Sequence, residues 1–196
     1  MIKRIFDLIL SLMALIILSP VFVIIGLWVV LESRGGMFFR QERMGKDFRI
    51  FKLYKFRSMR PGSDAKGLLT IGGRDPRITR SGYFIRKYKV DELPQLINIL
   101  KGDMSLVGPR PEVKRYTDMY NETQKQVLSV RPGLTDYASI LYFNESDLLS
   151  QSANPEKTYI EEIMPAKLAL NMKYIREQNF KTDLSIIAKT IQRIFS

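Results

Sequence analysis

Residues 91–111 read DELPQLINILKGDMSLVGPRP, a short helical pattern followed by an apolar run and a Pro-Arg-Pro corner. The apolar residues of its first half recur at the spacing of one helix face: Leu93, Leu96, Ile97 and Leu100. We predict a helix in which Asp91 is the N-cap, Glu92 lies in the first turn and Gly102 follows the last turn. Two adjacent carboxylates then stand at a helix start, where backbone N–H groups lack intrahelical partners.

The carboxylates Asp91 and Glu92 allow two interpretations. The simpler one is a cap and a partner of the helix dipole, which is a common pattern at helix starts. The other interpretation is chemical, because the surroundings are strongly cationic. The nearby cations are Arg86, Lys87, Lys89 and Arg110. Carboxylates among so many cations suggest a nucleophile or a metal ligand beside a phosphate-binding shell.

The composition narrows the chemistry that this site can use. Lys and Arg number 31 and Asp and Glu number 20 among 196 residues, and the resulting net charge of +11 favours anionic lipids, nucleic acids or phosphorylated substrates. Cysteine and histidine are absent, which excludes disulfides, thiolate metal sites and histidine-based acid–base catalysis. Proton transfer would use carboxylate, lysine or tyrosine, and any metal would be a hard cation such as Mg²⁺ with oxygen ligands.

The N-terminal segment carries no charge from Leu8 to Leu31. It is long enough to cross a hydrocarbon core of about 30 Å, but Ser19 and Pro20 divide it into two pieces of similar length. Basic residues flank it on both sides: Lys3, Arg4, Arg34, Arg40, Arg43 and Lys46. Because such residues prefer the cytoplasmic face, we predict a re-entrant hairpin that breaks at Ser19-Pro20 and returns to the same face. A straight span and a cleaved signal peptide are the alternatives.

Two strands are predicted after this segment, over Met37–Glu42 and Phe48–Phe56, joined by a turn at Gly45-Lys46-Asp47. The cations of the second strand and the residue after it include Lys52, Lys55 and Arg57. An ordinary hairpin with a cationic face explains this pattern. Nucleic-acid binding explains it as well, because aromatic residues are interleaved with the cations.

The remaining elements are predicted from turn signals and periodicity. They are a mobile loop or lid over residues 60–78, a short helix over 82–89, a helix over 112–130, a turn over 131–135, a polar loop over 144–158 and a helix over 156–176 interrupted at Pro165. A basic amphipathic helix ends the chain and would pack either in the bilayer interface or on the protein core. Its apolar face comprises Leu184, Ile187, Ala188, Ile191, Ile194 and Phe195.

Three segments together resemble a known family: YKFRSM at 54–59, DELPQL at 91–96 and GDMSLVGPRP at 102–111. They are similar to the bacterial sugar transferases, the monotopic phosphoglycosyl transferases that initiate glycan assembly on polyprenyl phosphate. The short chain looks most like the small PglC-type enzymes of protein N-glycosylation. The resemblance covers roughly residues 1–135 and also implies a re-entrant N-terminal helix.

The resemblance implies transfer of a phosphosugar, of the N,N'-diacetylbacillosamine type, from a UDP-sugar to polyprenyl (undecaprenyl) phosphate with release of UMP. It implies that Asp91 is the nucleophile and carries the phosphosugar, while Glu92 positions the acceptor or acts as a base. Mg²⁺ is the expected cofactor, with Asp91 and Glu92 as its ligands. The residues expected to contact phosphate are Arg110, Arg86, Lys55, Arg57 and Lys52.

The predicted fold class is α+β, mostly helical with a small antiparallel β-hairpin and interfacial amphipathic helices. Residues 1–33 would form the membrane hairpin and residues 34–196 a catalytic domain on the cytoplasmic face of the bacterial inner membrane. Expected partners are the UDP-sugar, polyprenyl phosphate, anionic lipids and downstream glycosyltransferases, but no nucleic acid. Two other functions stay open: a non-catalytic cationic module that binds membranes or nucleic acid, and the same chemistry in capsule or exopolysaccharide synthesis.

Overall fold

The computed structural model describes residues 2–63, 67–72 and 75–195, so the predicted loop over 60–78 lies partly outside the described residues. The helices are α1 (Ile2–Ile17), α2 (Ser19–Glu32), α3 (Arg80–Lys87), α4 (Gln95–Lys101), α5 (Lys114–Thr117), α6 (Glu122–Lys125), α7 (Tyr137–Leu141), α8 (Glu145–Ser150), α9 (Pro155–Thr158), α10 (Met164–Glu177) and α11 (Phe180–Phe195). The strands are β1 (Phe38–Met44), β2 (Ile50–Phe56), β3 (Ser105–Val107) and β4 (Gly133–Thr135). This mostly helical arrangement with small sheets confirms the predicted α+β class.

The N-terminal segment forms two helices, α1 and α2, which meet at a bend of 63°. Pro20 stands in the first turn of α2, where its missing N–H costs no hydrogen bond, and Ser19 Oγ donates to the carbonyl oxygen of Ile16 at 2.8 Å. The predicted break at Ser19-Pro20 is therefore confirmed. Among the described residues, no single helix is long and apolar enough to cross a membrane, whereas α1 and α2 meet that criterion as a pair.

Both ends of this helix pair are held by the rest of the protein. Lys3 Nζ donates to the carboxylate of Asp183 in α11 at 2.5 Å and to the carbonyl oxygen of Val107 in β3 at 3.1 Å. Arg57 Nη2 donates to the carbonyl oxygen of Ser33, just after α2, at 2.7 Å. Between these anchors, many apolar side chains are exposed: Ile5, Ile9, Leu12, Met13, Ile16, Ile17, Val23, Ile24, Leu27 and Leu31.

Strands β1 and β2 form the predicted antiparallel hairpin, with Phe38 opposite Phe56 and Met44 opposite Ile50. The hairpin is thus confirmed, although β1 extends two residues beyond the predicted end and β2 begins two residues later than predicted. A tight turn joins the strands and includes Asp47 with a left-handed φ of 53°. Asp is one of the few non-glycine residues that adopt this conformation readily.

Helix α4 begins at Gln95, later than predicted, and Asp91 is not its N-cap. Asp91 lies in a separate 3-10 turn over Val90–Glu92, and Pro94 occupies the N-cap position of α4. The interpretation of Asp91 as a helix cap is therefore wrong. The predicted helix end is confirmed, because Gly102 has a left-handed φ of 95° and two carbonyl oxygens of the last turn accept its N–H.

The buried face of α4 also differs from the predicted apolar face. Asn98 and Ile99 are fully buried, whereas Ile97 is only partly buried. Asn98 Oδ1 accepts a hydrogen bond from the N–H of Tyr54 at 2.9 Å, and Asn98 Nδ2 donates to the carbonyl oxygen of Lys52 at 2.8 Å. The polar side chain of Asn98 thus holds α4 against the edge of β2. The spacing of apolar residues in the sequence does not predict that contact.

Strands β3 and β4 pair in parallel, with Ser105 opposite Gly133, where the sequence predicted only a turn over 131–135. The two backbones cross closely, since a Cβ atom on Gly133 would lie 2.1 Å from the nitrogen of Gly108. This pairing brings the segment after β3 to the segment after β4. Consequently the backbone N–H of Arg110 donates to Asp136 Oδ2 at 3.1 Å.

The prediction of one helix over residues 112–130 is wrong. This region contains α5, α6 and a 3-10 turn over Gln126–Ser129. Asn121 and Gln124 form a capping box, in which each side chain bonds the other residue's backbone N–H at 3.0 and 2.9 Å. Such a box starts a new helix and separates α6 from α5.

The prediction of a polar loop over residues 144–158 is also wrong, because α8 and α9 lie there. Asn154 Oδ1 accepts the N–H of Lys157 at 3.1 Å and so starts α9 as an N-cap. The predicted interruption near Pro165 is confirmed. A π-helical turn over Tyr159–Ile163 precedes α10, and Pro165 stands at the beginning of that helix.

Helix α11 is amphipathic as predicted, but the face that is buried against the protein differs from the predicted apolar face. Ile186 and Asp183 are buried, and the hydroxyl of Tyr174 donates to Asp183 at 2.7 Å. Ile187 and Ile194 are half-buried. The other members of the predicted apolar face are exposed: Leu184, Ala188, Ile191 and Phe195. The helix therefore packs on the protein through one face and presents apolar side chains on another.

Candidate active site

A cavity of about 690 Å³ lies where β2, the α3–α4 connection, the segment after β3 and the α7–α8 region come together. Five of the residues selected from the sequence line it together: Lys55, Arg86, Asp91, Glu92 and Arg110. Arg57 reaches its wall as well, while Lys52 does not. The cavity thus gathers both predicted catalytic carboxylates and most of the predicted phosphate-binding cations.

Asp91 is buried, and among the described residues its carboxylate has no hydrogen-bond donor. Its side chain lines the cavity although the residue is only 4% exposed, and within the described part of the chain no group donates a hydrogen bond to its carboxylate. Burial, and then the charge of Glu92, raise the pKa of Asp91, while the charges of Lys55 and Arg86 oppose that rise. A buried carboxylate to which no described residue donates a hydrogen bond is uncommon, and such groups are typical of functional sites.

Glu92 has the opposite environment, although it is the next residue in the chain. Arg110 Nη1 donates to Glu92 Oε2 at 2.9 Å, Lys55 Nζ donates to Glu92 Oε1 at 2.8 Å, and Arg110 Nη2 also contacts Oε1. Burial alone would raise the pKa of Glu92, but the charges and hydrogen bonds of Arg110 and Lys55 hold that pKa well below its usual value. Glu92 is therefore an anion that orients two cations at the cavity.

Two features of the backbone help to place the side chains of Asp91, Glu92 and Arg110 in the cavity. Lys89 adopts a left-handed φ of 56°, which reverses the chain after α3 and leads into the tight Val90–Glu92 turn. Arg110 lies between two prolines, which restrict its backbone, and its N–H is held by Asp136. Both catalytic candidates and the main cation are therefore on constrained backbone.

Arg86 and Lys89 form a second pair of cations beside Asp91. Arg86 Nη2 donates to Thr70 Oγ1 at 2.9 Å. Lys89 Nζ donates to the carbonyl oxygen of Phe143 at 3.1 Å and lies 4.6 Å from the centroid of its ring. Burial lowers the pKa of Lys89. Both cations are among the charges that favour the ionised form of Asp91.

The structure does not bring Lys52 to the site, which corrects that prediction. Lys52 is exposed on β2 and lies opposite Glu42 of β1. Side chains alternate between the two faces of a strand, so Lys52 and Lys55, three residues apart, point to opposite sides. Arg57 is buried, and its Nη2 donates to Ser33 and to the carbonyl oxygen of Val29. Its guanidinium therefore holds the end of α2 rather than extending freely into the cavity.

The sequence profile of the bacterial sugar transferases matches residues 1–196, which is the whole chain. This chain belongs to the bacterial sugar transferase family. It is 35% identical to the UDP-N-acetylgalactosamine-undecaprenyl-phosphate N-acetylgalactosaminephosphotransferase of Aeromonas hydrophila, over 100% of this chain and 44% of the relative. It is also 35% identical to the UDP-glucose:undecaprenyl-phosphate glucose-1-phosphate transferase of Escherichia coli (strain K12), over 100% of this chain and 40% of the relative.

A third relative of this chain is the exopolysaccharide production protein PSS of Rhizobium leguminosarum, 36% identical over 96% of this chain and 92% of the relative. The chain thus spans less than half the length of the first two relatives and nearly all of the third. The resemblance to bacterial sugar transferases is confirmed. The names of these three relatives do not mention protein N-glycosylation, so the closer likeness to PglC-type enzymes stays a prediction.

The predicted metal ligands Asp91 and Glu92 fit Mg²⁺ to different degrees. Across residues 2–63, 67–72 and 75–195, no group of three or more Asp or Glu side chains converges on a metal site, and the sequence contains no Cys or His. Mg²⁺ nonetheless often takes only one or two protein carboxylates and completes its shell with water and substrate phosphate. Asp91 has oxygens available for such a site, whereas both oxygens of Glu92 already accept hydrogen bonds.

The cavity is also lined by residues that were not predicted from the sequence as site residues: Arg43, Tyr142, Phe143, Glu145 and Lys167. Lys167 Nζ donates to Glu145 at 2.7 Å, so α10 and α8 are tied together at the cavity wall. Lys89 also lines the cavity, and the sequence had already indicated it as a cation close to Asp91. The others are distant in sequence from residues 91–111, and only the tertiary fold brings them near.

Proposed function

We propose that this chain transfers a sugar 1-phosphate from a UDP-sugar to undecaprenyl phosphate and releases UMP. The observation that carries the proposal is the contrast between Asp91, which no described residue hydrogen-bonds, and Glu92, which is tied to two cations. A carboxylate that accepts no hydrogen bond from the described residues, within a cationic cavity, suits nucleophilic attack on phosphorus. The names of two relatives describe such a transfer of glucose 1-phosphate and of an N-acetylgalactosamine phosphate, and this supports the same reaction class here.

In the first proposed step, a carboxylate oxygen of Asp91 attacks the phosphorus atom that carries the sugar. The bond from that phosphorus to the bridging oxygen breaks, and UMP leaves with the electron pair. In the second step, a phosphate oxygen of undecaprenyl phosphate attacks the same phosphorus, and Asp91 leaves as a carboxylate. The covalent route lets a water-soluble donor and a membrane-bound acceptor occupy the site in turn.

Arg110 and Lys55 would neutralise the charge of the donor diphosphate. Glu92 already brings both cations to the cavity, and donor phosphate oxygens would compete with Glu92 for the guanidinium of Arg110, which suits bidentate contacts. Arg86 and Lys89 favour the ionised form of Asp91, which is the form that acts as a nucleophile. In this proposal Glu92 is a positioning residue rather than the nucleophile.

Mg²⁺ is the proposed cofactor, with Asp91 as the protein ligand whose oxygens are available. When bound, Mg²⁺ would offset the negative charge of the diphosphate and of the departing UMP. Glu92 would become a second ligand in competition with Arg110 and Lys55, which already donate hydrogen bonds to its two oxygens. We therefore propose Asp91 as the main protein ligand of Mg²⁺ and Glu92 as a secondary one.

We also propose that residues 1–33 form a re-entrant hairpin and that the site faces the cytoplasm. Helix α1 has 16 residues, a length of about 24 Å that falls short of a hydrocarbon core of about 30 Å. The contacts of Lys3 with Asp183 and of Arg57 with Ser33 hold both ends of the hairpin on one folded unit, which supports a return to the same face. A shallow hairpin would keep the cavity at the level of the lipid phosphates.

The proposal does not specify which sugar 1-phosphate is transferred. The names of the relatives mention glucose, N-acetylgalactosamine and exopolysaccharide production, and this favours polysaccharide synthesis over protein N-glycosylation as the pathway. The diacetylbacillosamine-type donor expected from the resemblance is one member of the panel to be tested. A non-catalytic cationic module is the competing function.

The experiment is UMP release by the detergent-purified chain with undecaprenyl phosphate, Mg²⁺ and a panel of UDP-sugars. The panel contains UDP-glucose, UDP-N-acetylgalactosamine and UDP-N,N'-diacetylbacillosamine. We expect release with at least one donor, and we expect it to require both Mg²⁺ and Asp91. Folded protein that releases no UMP with any donor, and whose binding to anionic vesicles falls smoothly with salt, would instead be a cationic binding module.

A further inference from the structure

One wall of the cavity is apolar, in contrast to the charged end at Asp91. The lining residues supplied by α1, β3, β4 and α11 carry no charge, whereas the charged lining residues all come from other elements. The main side chains of this wall are Leu10, Ala14, Leu106, Leu134, Ile187 and Ile191. We call this part of the cavity the apolar arm.

Helix α11 forms one long side of the apolar arm. Ile187, Ile191 and Ile194 all line the cavity, and their spacing of four and three residues places them on one helix face over about 10 Å. The helix is fixed in position, because Ile186 is fully buried and Thr190 Oγ1 lies 2.6 Å from Thr135 Oγ1 of β4. The arm is therefore bounded by a docked helix.

The apolar arm includes residues of α1 and of α11, the helix that reaches the surroundings of Asp91. Arg193 of α11 lies 5.3 Å from the ring of Phe143, whose carbonyl oxygen binds Lys89 beside Asp91. Leu10 and Ala14 of the lining belong to α1, a helix with many exposed apolar side chains. A ligand with a phosphate at Asp91 and a hydrocarbon chain in the arm would extend towards the lipid.

We propose that the apolar arm binds the first isoprene units of the polyprenyl phosphate acceptor while its phosphate lies at Asp91. The proposal rests on the proposed function and names the place of one substrate within that site. A nucleotide sugar is polar along its whole length and matches the charged end, whereas the acceptor joins an anion to a hydrocarbon. A cavity with one charged end and one apolar end has the chemistry of that acceptor.

The first test is protection of a single thiol from alkylation, which the absence of native cysteine makes specific. Ile191→Cys places the thiol in the arm, and Leu184→Cys places a matched control on the same helix outside it. The two native side chains are 53% and 44% exposed, and only Ile191 lines the cavity. The maleimide reaction rate is measured for each purified variant with undecaprenyl phosphate, with inorganic phosphate and with neither.

We expect undecaprenyl phosphate to slow alkylation at position 191 several-fold and to leave position 184 unchanged, while inorganic phosphate protects neither. Equal rates with and without the lipid at position 191 would overturn the proposal. Equal protection at both positions would also overturn it, since that result indicates general coating of α11 by lipid.

The second test is kinetic and compares Ile191→Ser with Leu184→Ser. We expect Ile191→Ser to raise the acceptor KM about tenfold with a much smaller change in the donor KM, because an apolar contact with the lipid chain is lost. Leu184→Ser should keep the acceptor KM of the native chain, and an equal rise in both variants would refute the assignment. A native chain that releases no UMP would refute the proposed function alone, since thiol protection still decides whether the arm binds the lipid.

Discussion

Arg110 Nη1 donates a 2.9 Å hydrogen bond to Glu92 Oε2, and this pairing distinguishes Glu92 from its neighbour Asp91. The two carboxylates are adjacent in sequence and line one cavity, yet their pKa values are displaced in opposite directions. Pairs of titratable groups with pKa values pushed apart are typical of sites where each group has a separate role. Here Glu92 holds two cations, whereas no described residue donates a hydrogen bond to Asp91, which suits a role in the chemistry.

Asp91→Asn should abolish turnover and stabilise the fold at neutral pH. The loss of activity, by about 10³-fold or more, is expected because the amide is a poor nucleophile. The gain in stability follows from the raised pKa of Asp91: the folded state disfavours the ionised carboxylate above that pKa, and the neutral amide removes this cost. The stabilisation should shrink as the pH falls through the raised pKa of Asp91 towards its ordinary value. UMP release and thermal unfolding across the acidic range measure both effects, and near-native turnover would exclude Asp91 as the nucleophile.

Glu92→Gln should destabilise the fold by about 3 kcal/mol, because Lys55 and Arg110 would lose their buried anionic partner. The lowered pKa of Glu92 means that its contribution to the free energy of unfolding is present above the ordinary Glu pKa and is lost as the pH falls through the lower folded pKa. The difference between native chain and variant should therefore be largest near neutral pH and decline in acid. A variant as stable as the native chain at neutral pH would contradict this account of the pair.

Lys55→Met and Lys52→Met remove one positive charge each from the same strand and form a matched pair. Lys55 faces the cavity and binds Glu92 at 2.8 Å, whereas Lys52 is exposed on the other side of β2. We expect Lys55→Met to lower kcat/KM for the UDP-sugar about tenfold or more and Lys52→Met to stay close to native values. Initial rates at several donor concentrations measure this, with thermal unfolding as the check on folding. Equal losses in both variants would mean that net charge matters rather than position.

The elements that the sequence predicted well have local causes. The break at Ser19-Pro20, the helix end at Gly102 and the β1–β2 hairpin each depend on residues close together in the chain. The exposed position of Lys52 follows from the alternation of side chains along a strand and could have been predicted from the sequence. Local chemistry therefore accounts for the outline of the fold and for part of the site.

The parts that were missed depend on contacts between distant segments. Strands β3 and β4 have three residues each, too few for a periodic signal, and their parallel pairing is set by tertiary packing. The sequence indicated both Glu92 and Arg110 as site residues but not that they pair, 18 positions apart. The contact of Lys89 with Phe143 spans 54 positions and has no local sign. These are the contacts that separate the role of Asp91 from that of Glu92.

Gly133→Ala should destabilise the protein by about 3 kcal/mol or more, because its Cβ atom would overlap the backbone of Gly108. The new atom would lie 2.1 Å from the nitrogen and 2.4 Å from the oxygen of Gly108, and backbone atoms cannot rotate away as a side chain can. Gly36→Ala is the control, since its Cβ atom would meet no atom of the described residues within 4 Å. Denaturant unfolding compares the two. A small effect at position 133 would show that β3 and β4 separate at little cost.

The topology of α1 and α2 gives the last prediction, that both ends of the hairpin lie on one membrane face. Ile2→Cys and Arg34→Cys place single thiols at the two ends of a chain without native cysteine, and Glu122→Cys on α6 marks the face of the folded domain. All three should react with an impermeant maleimide in inverted vesicles and stay protected in intact spheroplasts. The physical reason is that Lys3 is held by Asp183 and Ser33 by Arg57, so both hairpin ends are fixed to one domain. Labelling of positions 2 and 34 from opposite faces would require these contacts to break and would establish a straight span.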